Sequence, residues 1–178
     1  MTDAAEVVDF WSVAGFARWF GKDAGFDAAF RDRFLAAHEA SASGMLDAWA
    51  ATPEGALALL ILLDQFPRNA FRDSPRMFAT DAKALAIAEA AIAAGHDMAT
   101  EEQLRLFFYL PYEHSERLED QQRAAELITP LGGELLRYAE IHRDVIARFG
   151  RFPHRNALLG RKTTPEEQTF LDAGGFAG

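Results

Sequence analysis

Apolar residues recur every three or four positions along most of this chain, which is the spacing of one face of an α-helix. Phe26, Phe30 and Phe34 show it most clearly, because they follow one another at four-residue steps. No stretch alternates apolar and polar residues for long enough to predict a β-strand. The pattern therefore predicts an all-α protein.

One predicted helix differs from the others because it is apolar on every side. Thr52 and Pro53 mark its start, the segment GALALLILLDQF follows, and Pro67 is expected to end it. A helix without a polar face belongs at the centre of a fold, surrounded by other helices. Asp64 near its end would then be buried and would need a partner. The favoured interpretation is a structural ion pair, either with Arg68 one turn further on or with Arg151 or Arg155 of the basic stretch at 141–165.

Capping residues and helix breakers mark the remaining helices. We predict helices over residues 4–20, 80–94, 118–128, 134–149 and 164–172, an interruption at Pro111, and a frayed tail after residue 172. A length of 178 residues suits one domain with a sizeable core, and no linker divides the chain. The prediction is one all-helical domain over residues 1–178, made of antiparallel helix pairs joined by short loops.

The amino-acid composition limits the possible binding partners and the expected cellular compartment. The net charge is −9, which argues against general binding to nucleic acid, and cysteine is absent, which excludes Cys-ligated metals and fits a reducing compartment. The N-terminal segment is acidic where a signal peptide would be basic, and the longest apolar run, 56–63, is too short to span a bilayer. The histidines lack the Glu-x-x-His and HExxH spacings. We therefore expect a cytoplasmic, non-membrane protein without a metal or other cofactor.

A basic stretch at 141–165 stands out within this acidic chain, with six lysine or arginine residues and one acid. Such a stretch either binds a small anion, for example a carboxylate or a phosphate ester, or pairs with acids from elsewhere in the fold. The sequence leaves both alternatives open. The candidate ligand-binding residues are Asp64, Arg68, Arg151, His154, Arg155, Asn156 and Arg161.

A polar turn after Pro111 supplies weak catalytic candidates, Glu113, His114 and Glu116. A glutamate beside a histidine is a possible acid–base couple of a hydrolase-type enzyme. Adjacent residues of a helix point about 100° apart, however, so Glu113 and His114 face one substrate only if the backbone is irregular. Whether the protein is an enzyme is left open. His142 lies on an apolar stripe and is interpreted as a core histidine.

Several long motifs resemble the bacterial domain of unknown function 924 family. They are LDQFPRN (63–69), YLPYEHSE (109–116), RFGRFPHRN (148–156) and LGRKTTPEE (159–167). The resemblance implies a fold similar to that of tetratricopeptide-repeat (TPR) proteins, a stacked array of helix pairs, although no 34-residue period is present. It implies no catalytic residues, because the family has no established activity. A TPR-like scaffold for a protein partner is therefore an alternative to anion binding.

Overall fold

The computed structural model describes residues 2–177, and none of these residues lies in a β-strand, which confirms the all-α prediction. Short 3₁₀ turns connect several of the helices. The helices are α1 (Ala4–Ala14), α2 (Phe16–Trp19), α3 (Ala24–Ala42), α4 (Pro53–Leu60), α5 (Phe66–Ala70), α6 (Asp81–Ala93), α7 (Glu102–Glu113), α8 (Leu118–Ile128), α9 (Gly133–Phe149) and α10 (Pro165–Asp172). Within residues 2–177, no helix is both long enough and apolar enough to cross a membrane.

Internal contacts divide the chain into two compact units, one ending at Pro111 and the other beginning at Tyr112. The boundary falls inside α7, which continues through Pro111 to Glu113. The predicted interruption at Pro111 is therefore wrong. A proline removes one backbone donor, and here the helix has only two residues left to run, so the loss is confined to its last turn. The single-domain assignment stays a prediction.

Aromatic rings form much of the core of the first unit. Trp11 is fully buried, and its ring centroid lies 5.3 Å from that of Phe30 and 5.4 Å from that of Phe107. The indole Nε1 of Trp19 donates a hydrogen bond of 2.7 Å to the carbonyl of Trp11. Phe30 and the other two phenylalanines of the four-residue series are buried, as their spacing predicts. Large rings in contact bury much apolar area, which stabilises the unit.

The helix predicted to be central is buried as expected. Every residue from Gly55 to Asp64 is buried. The hydroxyl of Thr52 accepts a hydrogen bond of 3.1 Å from the backbone N–H of Gly55, and Pro53 occupies the first turn. The cap and the proline thus start the helix as the sequence predicts.

Pro67 does not end this helix, contrary to the prediction. A π-helical turn, Ile61–Gln65, follows α4, and α5 carries the chain on through Pro67. In that turn the backbone N–H of Phe66 bonds the carbonyl of Ile61, five residues back. A proline inside a helix lacks the N–H that would reach back by four residues. The wider turn accommodates the missing donor.

Two side chains supply the hydrogen bonds that this proline cannot make. Nδ1 of His38 lies 2.8 Å from the carbonyl of Leu62 and, since a carbonyl only accepts, donates its proton there. The hydroxyl of Thr80 donates to the carbonyl of Leu63. Burial lowers the pKa of His38, which favours the neutral form of the ring. Side chains from α3 and from the residue before α6 thus satisfy the carbonyls freed near Pro67.

The helix predicted over residues 4–20 is broken at Gly15, where φ is +71°. A positive φ suits glycine and ends α1 at Ala14. Phe16 and Phe20, which follow the break, are 58% and 49% exposed. The break redirects the chain, so the apolar face of α1 does not continue into α2.

The second unit contains α8, α9 and α10. Val145, Ile146 and Phe152 form its apolar core, and α10 begins at the predicted capping box, in which Thr164 and Glu167 exchange hydrogen bonds. The tail after residue 172 was predicted to be frayed, and its last residue, Gly178, lies outside the described residues. The ring of Phe176 lies 4.2 Å from that of His142 and packs against the core, because the two glycines before it let the chain fold back.

Candidate functional site

The predicted basic stretch contains a cluster of side chains around one buried ring, that of Phe152, which we call the Phe152 cluster. Gly150 ends α9 in the left-handed conformation, and Phe152 follows with no exposed surface. The rings of His142 and His154 each lie 5.6 Å from the Phe152 ring, and the guanidinium of Arg155 lies 4.4 Å from its centroid. An arginine over a ring face is held by cation–π attraction. The side chains of His142, His154 and Arg155 thus surround the apolar ring of Phe152.

An ion pair between Arg161 and Glu116 holds the backbone of Phe152. Arg161 bonds both carboxylate oxygens of Glu116, at 2.6 and 3.0 Å, and also donates to the carbonyl of Phe152 at 3.1 Å. Glu116 in turn accepts the N–H of Phe152 at 2.8 Å. Burial tends to raise the pKa of Glu116, but the hydrogen bonds from Arg161 and Phe152 outweigh it and hold the pKa below its usual value. Both carboxylate oxygens of Glu116 therefore accept hydrogen bonds that hold Phe152 and Arg161 in place.

A second ion pair joins the start of α10 to this stretch. Arg151 bonds the two oxygens of Glu167 at 2.6 and 2.8 Å. The side-chain amide of Asn156 donates to Glu167 at 3.2 Å, and the N–H of Thr164 at 2.7 Å. These hydrogen bonds, that of Arg151 first, lower the pKa of Glu167 to about 2. Arg151 and Asn156 thus stabilise the second unit.

Glu113 lies beside His142. Oε1 of Glu113 is 3.2 Å from Nδ1 of His142, while that nitrogen donates at 2.8 Å to the carbonyl of Tyr138. Glu113 and His142 are 5% and 8% exposed. Burial has the largest effect and lowers the pKa of His142 to about 3, although the hydrogen bond to Tyr138 acts in the opposite direction. A buried carboxylate beside a neutral imidazole is an arrangement found in acid–base sites and in structural networks alike.

The turn after α7 is held to this region by backbone contacts. Nη1 of Arg155 donates at 3.0 Å to the carbonyl of His114. The side-chain amide of Gln121, fully buried in α8, donates at 2.6 Å to the carbonyls of Glu113 and Ser115. These hydrogen bonds hold the polar turn beside the Phe152 cluster.

Asp64 and Arg68 belong to the first unit, where they form the predicted ion pair. Arg68 Nη1 lies 3.2 Å from Asp64 Oδ1 and 2.9 Å from Asp81 Oδ1, and Asp64 also accepts from Gln65 at 2.6 Å. The side chain of Asp64 is only 1% exposed. That Asp64 also meets the basic stretch, through Arg151 or Arg155, stays a prediction.

The structure places the remaining predicted site residues, His154, Arg155, Asn156 and Arg161, in the second unit with Arg151. Sequence reasoning missed the roles of Phe152 as hub, of His142 as the neighbour of Glu113, and of Glu167 as the partner of Arg151. A signal existed for Glu167 in its capping box, but nothing local links Glu113 to a histidine 29 positions later in the sequence. Among residues 2–177, no group of three or more histidine and acidic side chains is arranged to hold a metal ion.

These features define an all-helical protein whose second unit carries a buried cluster of histidine, arginine and carboxylate side chains. The chain belongs to the family of bacterial proteins of unknown function called DUF924, whose model matches residues 7–175, so the resemblance of the motifs is confirmed. It is similar to the solved structure of a protein of unknown function from Agrobacterium tumefaciens, with 56% identity, a TM-score of 0.94, and coverage of 96% of this chain and 97% of that one. No curated protein matches the chain.

Proposed function

We propose that the protein binds a small anionic ligand, a carboxylate or a phosphate ester, at the Phe152 cluster, through Arg155, His154 and His114. The observation that carries this proposal is the convergence of these cationic or ionisable groups. Burial has the largest effect on the pKa of His142, and the charges of His114, Arg155 and His154 all act in the same direction. Arg155 is cationic at neutral pH and each histidine ring can donate an N–H, so the group favours a negatively charged ligand.

Four other arginines of the basic stretch are engaged in ion pairs. Each of them lies within 3.1 Å of a carboxylate oxygen, so their charge is balanced within the fold; they are Arg143, Arg148, Arg151 and Arg161. We assign Arg151, Arg161 and Asn156 to the frame of the site rather than to the ligand.

Thermal denaturation with inorganic phosphate, phenyl phosphate and succinate tests the proposal, because a ligand that binds only the folded state raises its melting temperature. His154→Gln and Arg155→Lys are expected to lose most of the shift. Arg148→Ala is the matched control, since it removes a positive charge from an exposed ion pair. No shift with any of the three anions, or an equal shift in His154→Gln and in the parent, would refute the proposal.

Acid–base catalysis of a hydrolase type is a second candidate, favoured by the 3.2 Å contact between Glu113 and His142. In this second candidate function Glu113 is the proton acceptor. The histidine in contact with it is His142 and not His114, which follows it in the sequence. Hydrolysis of p-nitrophenyl phosphate and acetate, lost in Glu113→Gln but kept in the exposed control Glu119→Gln, supports it. Equal rates for the two variants would exclude a role for Glu113.

We further propose a cytoplasmic location, which the absence of cysteine supports.

We also propose a TPR-like stacking of helix pairs, which the packing of α8 against α9 supports. The scaffold alternative follows from such stacking, because helix arrays present extended binding surfaces. Co-purification of a defined partner that is lost on changing an exposed α8 residue, such as Arg123→Glu, would favour the scaffold over the anion site.

A further inference from the structure

His142, one of the side chains of the Phe152 cluster, makes its polar contacts through a single ring nitrogen. Its Nδ1 lies 2.8 Å from the carbonyl oxygen of Tyr138 and 3.2 Å from Oε1 of Glu113. Because its pKa is about 3, the ring is neutral at pH 7 and carries one N–H. The carbonyl can only accept a hydrogen bond, so this proton lies on Nδ1. Nε2 therefore carries a lone pair and is an acceptor.

Nε2 of His142 accepts no hydrogen bond from residues 2–177, since both polar contacts of the ring belong to Nδ1. Enclosed polar atoms without a hydrogen bond do occur in the second unit, for example Oε1 of Gln121, but Nε2 is not one of them and keeps contact with solvent. The ring is held in place by Phe152 and Phe176, whose centroids lie 5.6 Å and 4.2 Å from its own. A fixed acceptor with access to solvent is suited to recognising a donor on a bound molecule.

The groups proposed above to bind the anion act on this same ring. The positive charges of His114, Arg155 and His154 all lower the pKa of His142. A molecule whose anionic group is held by them therefore has a neutral acceptor close by. The same charges disfavour another cation beside the ring, so an ammonium group fits poorly as the donor. An uncharged hydroxyl group fits both the lone pair and the surrounding positive charge.

Resting on the anion site proposed above, we infer that its ligand is an anion that also carries a hydroxyl group, such as a hydroxycarboxylate, and that this hydroxyl donates to Nε2 of His142. His142 then determines specificity, whereas Arg155 supplies charge. A site that offers an acceptor selects the ligand that brings the donor, because an analogue without the hydroxyl takes the acceptor out of water and leaves it unpaired.

Malate and succinate test this assignment, because the two dicarboxylates have the same charge and differ by one hydroxyl group. In isothermal titration calorimetry at pH 7, the better bound enantiomer of malate is expected to bind the parent on the order of tenfold more tightly than succinate, the effect of one hydrogen bond. Equal Kd values for the two compounds would overturn the hydroxyl contact and leave the anion site standing. Binding of neither compound would refute both.

Two substitutions separate the ring nitrogens of His142. The amide of His142→Asn can still donate to the carbonyl of Tyr138 from near the place of Nδ1 but has no atom at the place of Nε2, which the longer His142→Gln can reach. His142→Asn is expected to bind malate and succinate equally, and His142→Gln to keep part of the preference. His96→Asn, in the first unit, is the control and should keep all of it. A full preference for malate in His142→Asn would overturn the assignment.

Heteronuclear NMR of the histidine rings tests the same contact in the parent protein, without a substitution at a buried position. A hydrogen bond to Nε2 changes the resonance of that nitrogen directly. Malate is expected to shift the Nε2 resonance of His142 more strongly than succinate does at saturation. Equal shifts with the two anions would contradict the contact.

Discussion

Arg151 and Glu167 are joined by two parallel hydrogen bonds, 2.6 Å from Nε to Oε1 and 2.8 Å from Nη2 to Oε2. The carboxylate also closes the capping box of α10, where its Oε2 accepts the N–H of Thr164 at 2.7 Å. One side chain therefore connects the segment after α9 to the start of α10. The paired arrangement is geometrically specific and stronger than a single neutral hydrogen bond.

The first prediction concerns acid stability. The folded-state pKa of Glu167 is about 2, below the ordinary value of 4.5, so its contribution to stability is present above pH 4.5 and is lost as the pH falls towards 2. Glu167→Gln is expected to be less stable at pH 7 and to lose less stability over that pH window. Chemical denaturation at several pH values measures both. The neighbouring Glu166→Gln, which changes an exposed carboxylate, should behave like the parent, and identical pH profiles for Glu167→Gln and the parent would contradict the prediction.

The second prediction concerns the buried ion pair of the first unit. Asp64→Ala leaves Arg68 without one of its two aspartates, in a place where only 16% of the arginine side chain is exposed. We expect a loss of roughly 3–5 kcal/mol in the free energy of unfolding. Asp64→Asn should lose less, because its amide oxygen can still accept a hydrogen bond.

Equilibrium denaturation decides this second prediction, with the exposed Asp32→Ala as the control. Losses below about 0.5 kcal/mol in both Asp64 variants would show that the pair contributes little.

The third prediction tests the compensation for Pro67. Thr80→Val keeps the shape of the side chain but removes the hydroxyl that bonds the carbonyl of Leu63. We expect a loss of about 1–3 kcal/mol, the range for a buried carbonyl left unpaired. Thr80→Ser retains the hydroxyl and should be distinctly more stable than Thr80→Val. If the two variants unfold at the same denaturant concentration, the hydroxyl is not needed at this position.

The fourth prediction reverses the usual effect of replacing a helical glycine with alanine. A Cβ on Gly55 would lie 2.1 Å from the carbonyl oxygen of Trp49. This oxygen belongs to the backbone, so it cannot move away by a side-chain rotation. Gly55→Ala should therefore destabilise the protein by roughly 1–3 kcal/mol. Gly25→Ala in α3 meets only the side chain of Asp23, at 3.3 Å, and is expected to be neutral or slightly stabilising. A stabilising Gly55→Ala would contradict the contact.

Local sequence signals were enough for the helical class, for the central helix and for the cap at Thr52, because each depends on neighbouring residues. They failed at Pro67 because the carbonyls it leaves free are satisfied by His38 and Thr80, which come from other parts of the sequence. For the same reason the basic stretch could be located but the partners of its arginines could not be assigned. Their acidic partners are fixed by tertiary packing and not by spacing.

The division into two units has a spectroscopic consequence. All three tryptophans, Trp11, Trp19 and Trp49, lie in the first unit, whereas the second contains only the tyrosines Tyr112 and Tyr138. Tryptophan emission therefore follows the unfolding of the first unit alone, while far-ultraviolet circular dichroism follows the helices of both. Coincident transitions would mean that the units unfold together, and an earlier change in dichroism than in emission would show that the Phe152 cluster melts on its own.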